Sequence, residues 1–297
     1  MTATAALITA SSPRRRLRAG ATGAPLAERI LVLLGLGALV FVTAFPVVVI
    51  ALAAFSPQEE VNHWPPRLIP SRLTLDNFVG LLERLPVLQQ SWNSVVFAGT
   101  VTVLSLALNT LAAYALARMD FRGRGVLLAV LIATMMIPFQ ALLLPIYQIA
   151  SSLGWVNTFF GLVVPRAADV AGIFLLRQFM ITLPRDLDSA ARIDGAGEFR
   201  IFWSVILPNT KPALLTMALF NFVGNWNDLL WPLIMTSDSE VRPLTAGLAL
   251  VTGSATATAP YGVMMAGALI AVLPLVILYL VVQRRFVEGV AMTGMKG

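Results

Sequence analysis

The chain contains no cysteine, so neither a disulfide framework nor a thiolate-bound metal enters its chemistry. It has one histidine, His63, which excludes a histidine-cluster metal site and any relay needing a second imidazole. Glu59 and Glu60 lie close by in the chain. One histidine and two adjacent acids in a proline-rich stretch read as solvated surface, so no metal is expected. Lysine is almost absent. Lys211 precedes Pro212 and Lys296 precedes Gly297, so neither completes the Gly-x4-Gly-Lys-Ser/Thr loop that cradles a nucleotide's phosphates. This chain is expected to bind no ATP or other cofactor itself. Charge of either sign is scarce: 12% of the 297 residues are charged, against about 25% in ordinary soluble domains.

What is abundant is apolar sequence, 58% of the chain, more than a globular core of this size can hide. The composition predicts an all-α, polytopic membrane protein lying in a lipid bilayer. Six transmembrane helices are expected, at about Ile30–Phe55, Ser91–Ala117, Gly125–Ala150, Phe159–Ile181, Pro212–Met235 and Pro260–Val282. The third and fourth are separated only by Ser151, Ser152, Gly154 and Asn157, within a run from Gly125 to Pro165 that carries no charge. Pro138 and Pro145 in the third either kink it or shape its packing. Arg166, Asp169 and Arg177 interrupt the fourth, and Arg166 and Asp169 stand at a spacing that allows them to pair. An apolar stretch from Leu244 to Val251 is left unplaced.

Residues 1–27 form a basic tail with Arg14, Arg15, Arg16 and Arg18. A cleaved export signal is the alternative, but the apolar run after it is longer than the roughly 7–15 residues of a signal core. A transmembrane domain over 28–283 and a tail over 284–297 complete the division. Basic residues decide the orientation. Of 21 lysines and arginines, 16 fall on one side of a six-span layout: both tails, the connector at Arg118–Arg124, and the region from Arg177 to Lys211. That side is the cytoplasm. The net charge of +6 is distributed by membrane side rather than gathered in a patch fit for nucleic acid.

Between spans four and five, residues 184–208 form a charged island bracketed by Pro184 and Pro208. Leu183, Leu187, Ala190 and Ala191 recur at near-helical spacing, and Gly195 follows Asp194 where a helix end takes glycine. Phe199, Phe202, Trp203 and Ile206 form a second helical stripe. The island therefore reads as two short amphipathic helices joined by a bend. From composition alone, a helix pair resting on the lipid surface is an equal reading.

The run Ser189-Ala190-Ala191-Arg192-Ile193-Asp194-Gly195-Ala196, closing with Ile206-Leu207-Pro208, resembles the EAA motif of ABC-importer permeases. Ser189 stands where that motif has glutamate, and Asp188 precedes it. Asn221 to Asp228 resembles an Asn-Trp-Asn signature of the carbohydrate branch, and the C-terminal run from Gln283 resembles that branch's tail. The chain looks like the maltose-type second permease subunit. The resemblance implies that the island is a coupling helix seated on a cytoplasmic ATP-binding subunit, which would hold ATP and magnesium. Ser189, Ala190, Ala191, Asp194, Gly195, Phe199, Phe202, Trp203 and Pro208 would form that contact. It further implies a second, homologous permease subunit and an extracytoplasmic solute-binding protein.

Within the fifth span, Asn221, Asn225 and Asp228 fall on one helical face beside Trp226 and Trp231. Amides and a carboxylate next to aromatic rings suit a sugar in the pathway. The bland reading is a packing face, since interhelical polar contacts of about 1 kcal/mol are common in bundles. Asn109 and Gln140 stand under the same two readings. An ion-gradient-driven transporter is the alternative function and would want buried carboxylates in several spans; Asp169 and Asp228 are the candidates. A membrane enzyme is a weaker third reading, since nothing resembles a catalytic constellation.

Overall fold

The structure, a computed structural model, describes residues 26–63, 67, 69–253 and 259–294. The basic tail falls almost wholly outside them, as do the last three residues of the C-terminal one. Every regular element among the described residues is helical. First come α1 (Leu26–Ala54), α2 (Gln58–Val61), α3 (Asp76–Arg84) and α4 (Val87–Arg118). Then follow α5 (Arg124–Thr134), α6 (Phe139–Ser152), α7 (Phe159–Val163), a 3-10 turn over Val164–Arg166, and α8 (Val170–Thr182). The island holds α9 (Asp186–Ile193), α10 (Glu198–Ile201), a π turn over Phe202–Ile206 and α11 (Leu207–Asn209). Last are α12 (Lys211–Trp226), α13 (Leu230–Met235), α14 (Leu244–Gly253) and α15 (Tyr261–Gly294).

The chain divides within α1, into one compact unit ending at Val48 and another over Val49–Gly297. The helix α1 runs through that division, and its stretch Glu28–Ala54 has a mean hydropathy of 2.6. The second unit is organised around α4, against which α8 and α12 pack along their lengths. The polarity of α4 is inverted relative to a soluble helix. Gln90, Asn93, Ser94, Ser105 and Asn109 are buried, whereas Leu88, Trp92, Val103 and Leu108 are exposed. In water this arrangement would strand apolar surface. In lipid the outer face must be apolar, and the seams between helices take the polar contacts.

Among the described residues, three apolar clusters fill the second unit. One joins Tyr114 and Ala117 of α4 to Leu176, Met180, Ile201, Phe202 and Met217. A second joins Phe97 and Val101, nearer the start of α4, to Leu162, Trp231 and Met235. The third holds α3 and α14 against α15 through Leu81, Leu244 and Val263. The stretch left unplaced by its hydropathy is thus α14, packed on α4 and α15.

The first, second and sixth expected spans are single long helices: Glu28–Ala54, Val87–Arg118 and Tyr261–Gln283 are each long and apolar enough to cross a membrane. The other three are interrupted. Between α5 and α6 the path turns by 98°, because Pro138 cannot continue a helix and its ring crowds the preceding turn. With 11 residues in α5 and 14 in α6, each half, at ~1.5 Å per residue, falls short of the ~30 Å hydrocarbon core. The fourth span bends by 42° between Phe159–Arg166 and Val170–Thr182. There the Asp169 side chain caps α8 by accepting from the Gly172 N–H. The fifth is broken as well. α12 stops at Trp226, Asn227 closes it, and α13 begins at Leu230 with Pro232 in its first turn. Asp228 therefore lies past the helix end, off the continuous helical face expected for it.

Candidate functional site

The island folds as two short helices around a hinge. Its first helix, α9, ends in a Schellman turn: the Ala196 N–H donates to the Ala191 carbonyl at 2.9 Å and the Gly195 N–H to that of Arg192 at 3.0 Å. Gly195 has φ +78° with open space where a Cβ would stand. Only glycine takes that backbone at no steric cost. Glu198, opening α10, fastens the hinge to α4. Its carboxylate accepts from the Tyr114 hydroxyl at 2.8 Å and from Arg192 Nη2 at 2.8 Å. The Tyr114 hydrogen bond, with Arg192 second among the favourable contacts, holds the Glu198 carboxyl below its ordinary value.

The aromatic stripe splits into two faces. Phe202 and Ile206 are buried in the cluster around α8. Phe199 and Trp203 face outward, 74% and 61% exposed, and stack on each other at 6.4 Å. Four-residue spacing separates the members of each pair. The π turn widens the helix just before Pro208, which has no N–H to donate to the residue four before it. Ser189, Ala190, Asp194 and Gly195 are exposed, and Ala191 is half-buried against the core.

Asp188 turns inward. It is 5% exposed and pairs at 3.1 Å with Arg118, itself 5% exposed, at the C-terminus of α4. Arg118 also donates to the Leu183 carbonyl at 2.8 Å. The carboxylate nearest the motif's glutamate position is thus engaged within the chain.

A second site lies in the middle of the unit. A cavity of about 530 Å³ is lined by Phe139, Arg166, Asp169, Phe220, Asn221 and Asn225, among others. Behind its wall runs a continuous polar network. Asn109 donates to Asp169 at 2.7 Å, and Ser105 donates to the same carboxylate oxygen at 3.0 Å. Asn221 donates to Ser105 at 3.0 Å, and Asn225 donates to the Asn221 side chain at 2.9 Å. Arg166 donates to Asn225 at 3.2 Å and forms an ion pair with Asp228 at 2.9 Å. The expected Arg166–Asp169 pair is therefore replaced: Asp169 caps α8 and joins α4, and Arg166 reaches across to Asp228. Gly172 makes this approach possible, since a Cβ there would stand 2.4 Å from the Asn109 amide nitrogen and 2.9 Å from Asp169.

Asn221 and Asn225 thus sit at the cavity wall, but Trp226 does not. Its ring is buried and its indole N–H donates to the Ala271 carbonyl at 3.0 Å, joining α12 to α15. Trp231 is buried likewise, donating to the Leu162 carbonyl at 3.1 Å. Ser105 is absent from the residues singled out by sequence, Arg118 entered there only through its charge, and Arg166 only as a partner for Asp169. An arginine inside an expected span signals function or pairing by itself. Nothing in the residue order signals Ser105.

A family described as "Binding-protein-dependent transport system inner membrane component" matches residues 109–291. The arabinooligosaccharides transport system permease protein of Halalkalibacterium halodurans is 36% identical over 275 residues, covering 90% of this chain and 96% of that one. The trehalose/maltose transport system permease protein of Thermococcus litoralis is 31% identical, covering 91% and 98%. The sn-glycerol-3-phosphate transport system permease protein of Brucella abortus is 30% identical, covering 86% and 93%. Among solved structures, a chain of a bacterial ABC transporter involved in the import of the acidic polysaccharide alginate has a TM-score of 0.77 at 24% identity. It covers 89% of this chain and 99% of that one, and shares the fold.

Proposed function

The chain belongs to the family of binding-protein-dependent transport system inner membrane components, and from that premise we propose that it forms the pathway for a carbohydrate or related polyol in an ATP-driven importer. It is a translocation subunit of the inner membrane, not an enzyme. The names of its relatives, two sugar permeases and one for a phosphorylated polyol, support the solute class. In this reading six spans put both termini and the 184–208 loop in the cytoplasm, with 28–283 as the transmembrane domain between tails 1–27 and 284–297. An extracytoplasmic binding protein delivers solute, a second permease subunit completes the pathway, and separate ATPase subunits carry ATP and magnesium. Closure of the ATPase pair moves the island and, through it, the helices around the cavity.

The observation that carries this reading is the exposed Phe199–Trp203 stack beside the Gly195 hinge. Exposed aromatic side chains beside a close-approach surface are the residues that dominate protein interfaces. The remaining coupling residues, Ser189, Ala190, Ala191, Asp194 and Pro208, frame that surface, while Phe202 supports it from beneath. The two carboxylates that an ion-gradient mechanism would use are both engaged: Asp169 with α8 and α4, and Asp228 with Arg166.

Gly195→Val tests the coupling. A β-branched residue at φ +78° costs roughly 1–2 kcal/mol, yet among the described residues no atom lies within 4 Å of a Cβ placed there. The protein should reach the membrane in normal amounts while uptake of labelled arabino-oligosaccharide falls about tenfold or more, the factor that goes with 1.4 kcal/mol. Gly195→Asn, which tolerates this backbone, should retain uptake. Normal uptake by the valine variant would remove the island from the coupling path.

A further inference from the structure

Three helices of the second unit are interrupted, and one side chain touches all three interruptions. Arg166 ends the 3-10 turn at the break before α8. Its guanidinium carbon lies 4.8 Å from the ring centroid of Phe139, the first residue of α6 after the 98° turn. Its Nη2 lies 2.9 Å from Asp228, in the break between α12 and α13. Nε and Nη2 also donate to Asn225, in the last turn of α12, at 3.3 and 3.2 Å.

The position divides two apolar bodies. α6, α7 and α13 pack into one cluster with Phe97 and Val101. α8, α12 and the island pack into another with Tyr114 and Ala117. Between them lies the polar network, crossed without interruption only by α4 among these elements. Helix breaks lack the ladder of backbone bonds and are where packed bodies turn. The Arg166 and Asp228 side chains are 22% and 15% exposed, so parting them leaves a charge in a costly place. Arginine suits this junction, because a planar fork can bond Asp228 and Asn225 at once while its face lies over Phe139.

We propose that Arg166 is a positioning residue of the transport cycle: it holds the three breaks in register, so that motion received at the island reaches the outer short helices. Its charge is engaged by Asp228 and so withheld from the solute, although its side chain lines the cavity. This rests on the importer reading above.

The test uses the whole importer in proteoliposomes, with MgATP as the probe, measuring ATP hydrolysis without and with the binding protein. Arg166→Gln and Asp228→Asn should each reduce the stimulation by binding protein at least about fivefold, the low end of allosteric couplings. The exchanged pair, R166D with D228R, should recover most of it. A purely structural role would lower the amount of assembled complex and leave the stimulation ratio alone. Should Arg166→Gln fail to assemble, Asp228→Asn, which keeps the shape of the carboxylate, decides. Stimulation unchanged in the single variants overturns the proposal, as does a loss that the exchanged pair does not recover. Wild-type importer with no stimulation at all would instead overturn the function from which the proposal starts.

Discussion

At Arg118 a helix ends on a buried charge, and the side chain that answers it comes from the island. The cation stands where the partial negative charge of a helix C-terminus favours it, and Asp188 supplies the full counter-charge. Removing one partner of a buried pair strands the other, at about 3–5 kcal/mol. Asp188→Ala should therefore lower the thermal unfolding temperature of the purified importer markedly, and the Asp188→Ala, Arg118→Met double variant should lower it less. Glu198 carries a pH signature. Its folded-state pKa lies below the ordinary carboxylate value because Tyr114 and Arg192 hydrogen-bond to it. Its contribution is present above that ordinary value and is lost as pH falls through the depressed one. The protection factors of the island amides, corrected for intrinsic exchange, should fall at acid pH, and Glu198→Gln should flatten the dependence. At this scale the sequence exposes residue types but not directions. The i, i+3, i+4 spacing marks Phe199, Phe202, Trp203 and Ile206 as one stripe, whereas the π turn and the cluster beneath it divide them.

Among the elements, the uninterrupted spans are legible because a long apolar window has one reading in lipid. The interrupted ones are not, because proline and aspartate inside an apolar run look alike whether they kink a helix, cap one or merely pack. Pro138 turns the chain by 98°, while Pro145 sits inside α6 and Pro274 inside α15. What distinguishes them is the tertiary setting, which residue order alone does not contain. The hinge of the island is legible, since glycine after a helical run names its own turn. Asp169 is a capping residue whose loss can be measured. Asp169→Ala should cost about 1 kcal/mol for the cap and remove one of the two acceptors of the Asn109 amide nitrogen as well. Asp169→Asn should retain most of the cap, and thermal unfolding in detergent separates the two.

For the molecule as a whole, inverted polarity is the governing fact: amides and hydroxyls line the seams of α4 while leucine and valine face outward. Composition makes the bilayer legible, and the near-absence of lysine leads the sequence reading to expect a separate motor. Purified without its partners, the chain should hydrolyse no ATP above background in a phosphate-release assay. The polar network is legible only in fragments. Asn109, Arg166, Asp169, Asn221, Asn225 and Asp228 stand out as costly residues in apolar runs, but Ser105 joins them only once three helices lie side by side.

The 32 residues of α4 have no proline and no break, so at ~1.5 Å per residue it is a rod of roughly 48 Å. One tip is gripped by Asp188. Near the other, Asn93 donates to the carbonyls of Glu240 and Arg242, and Ser94 accepts from the Leu244 N–H. A stiff member anchored at both tips behaves as a lever. A shift of about an ångström at the Asp188 tip would be felt by the loop ahead of α14, and a push on that loop would be felt at Asp188.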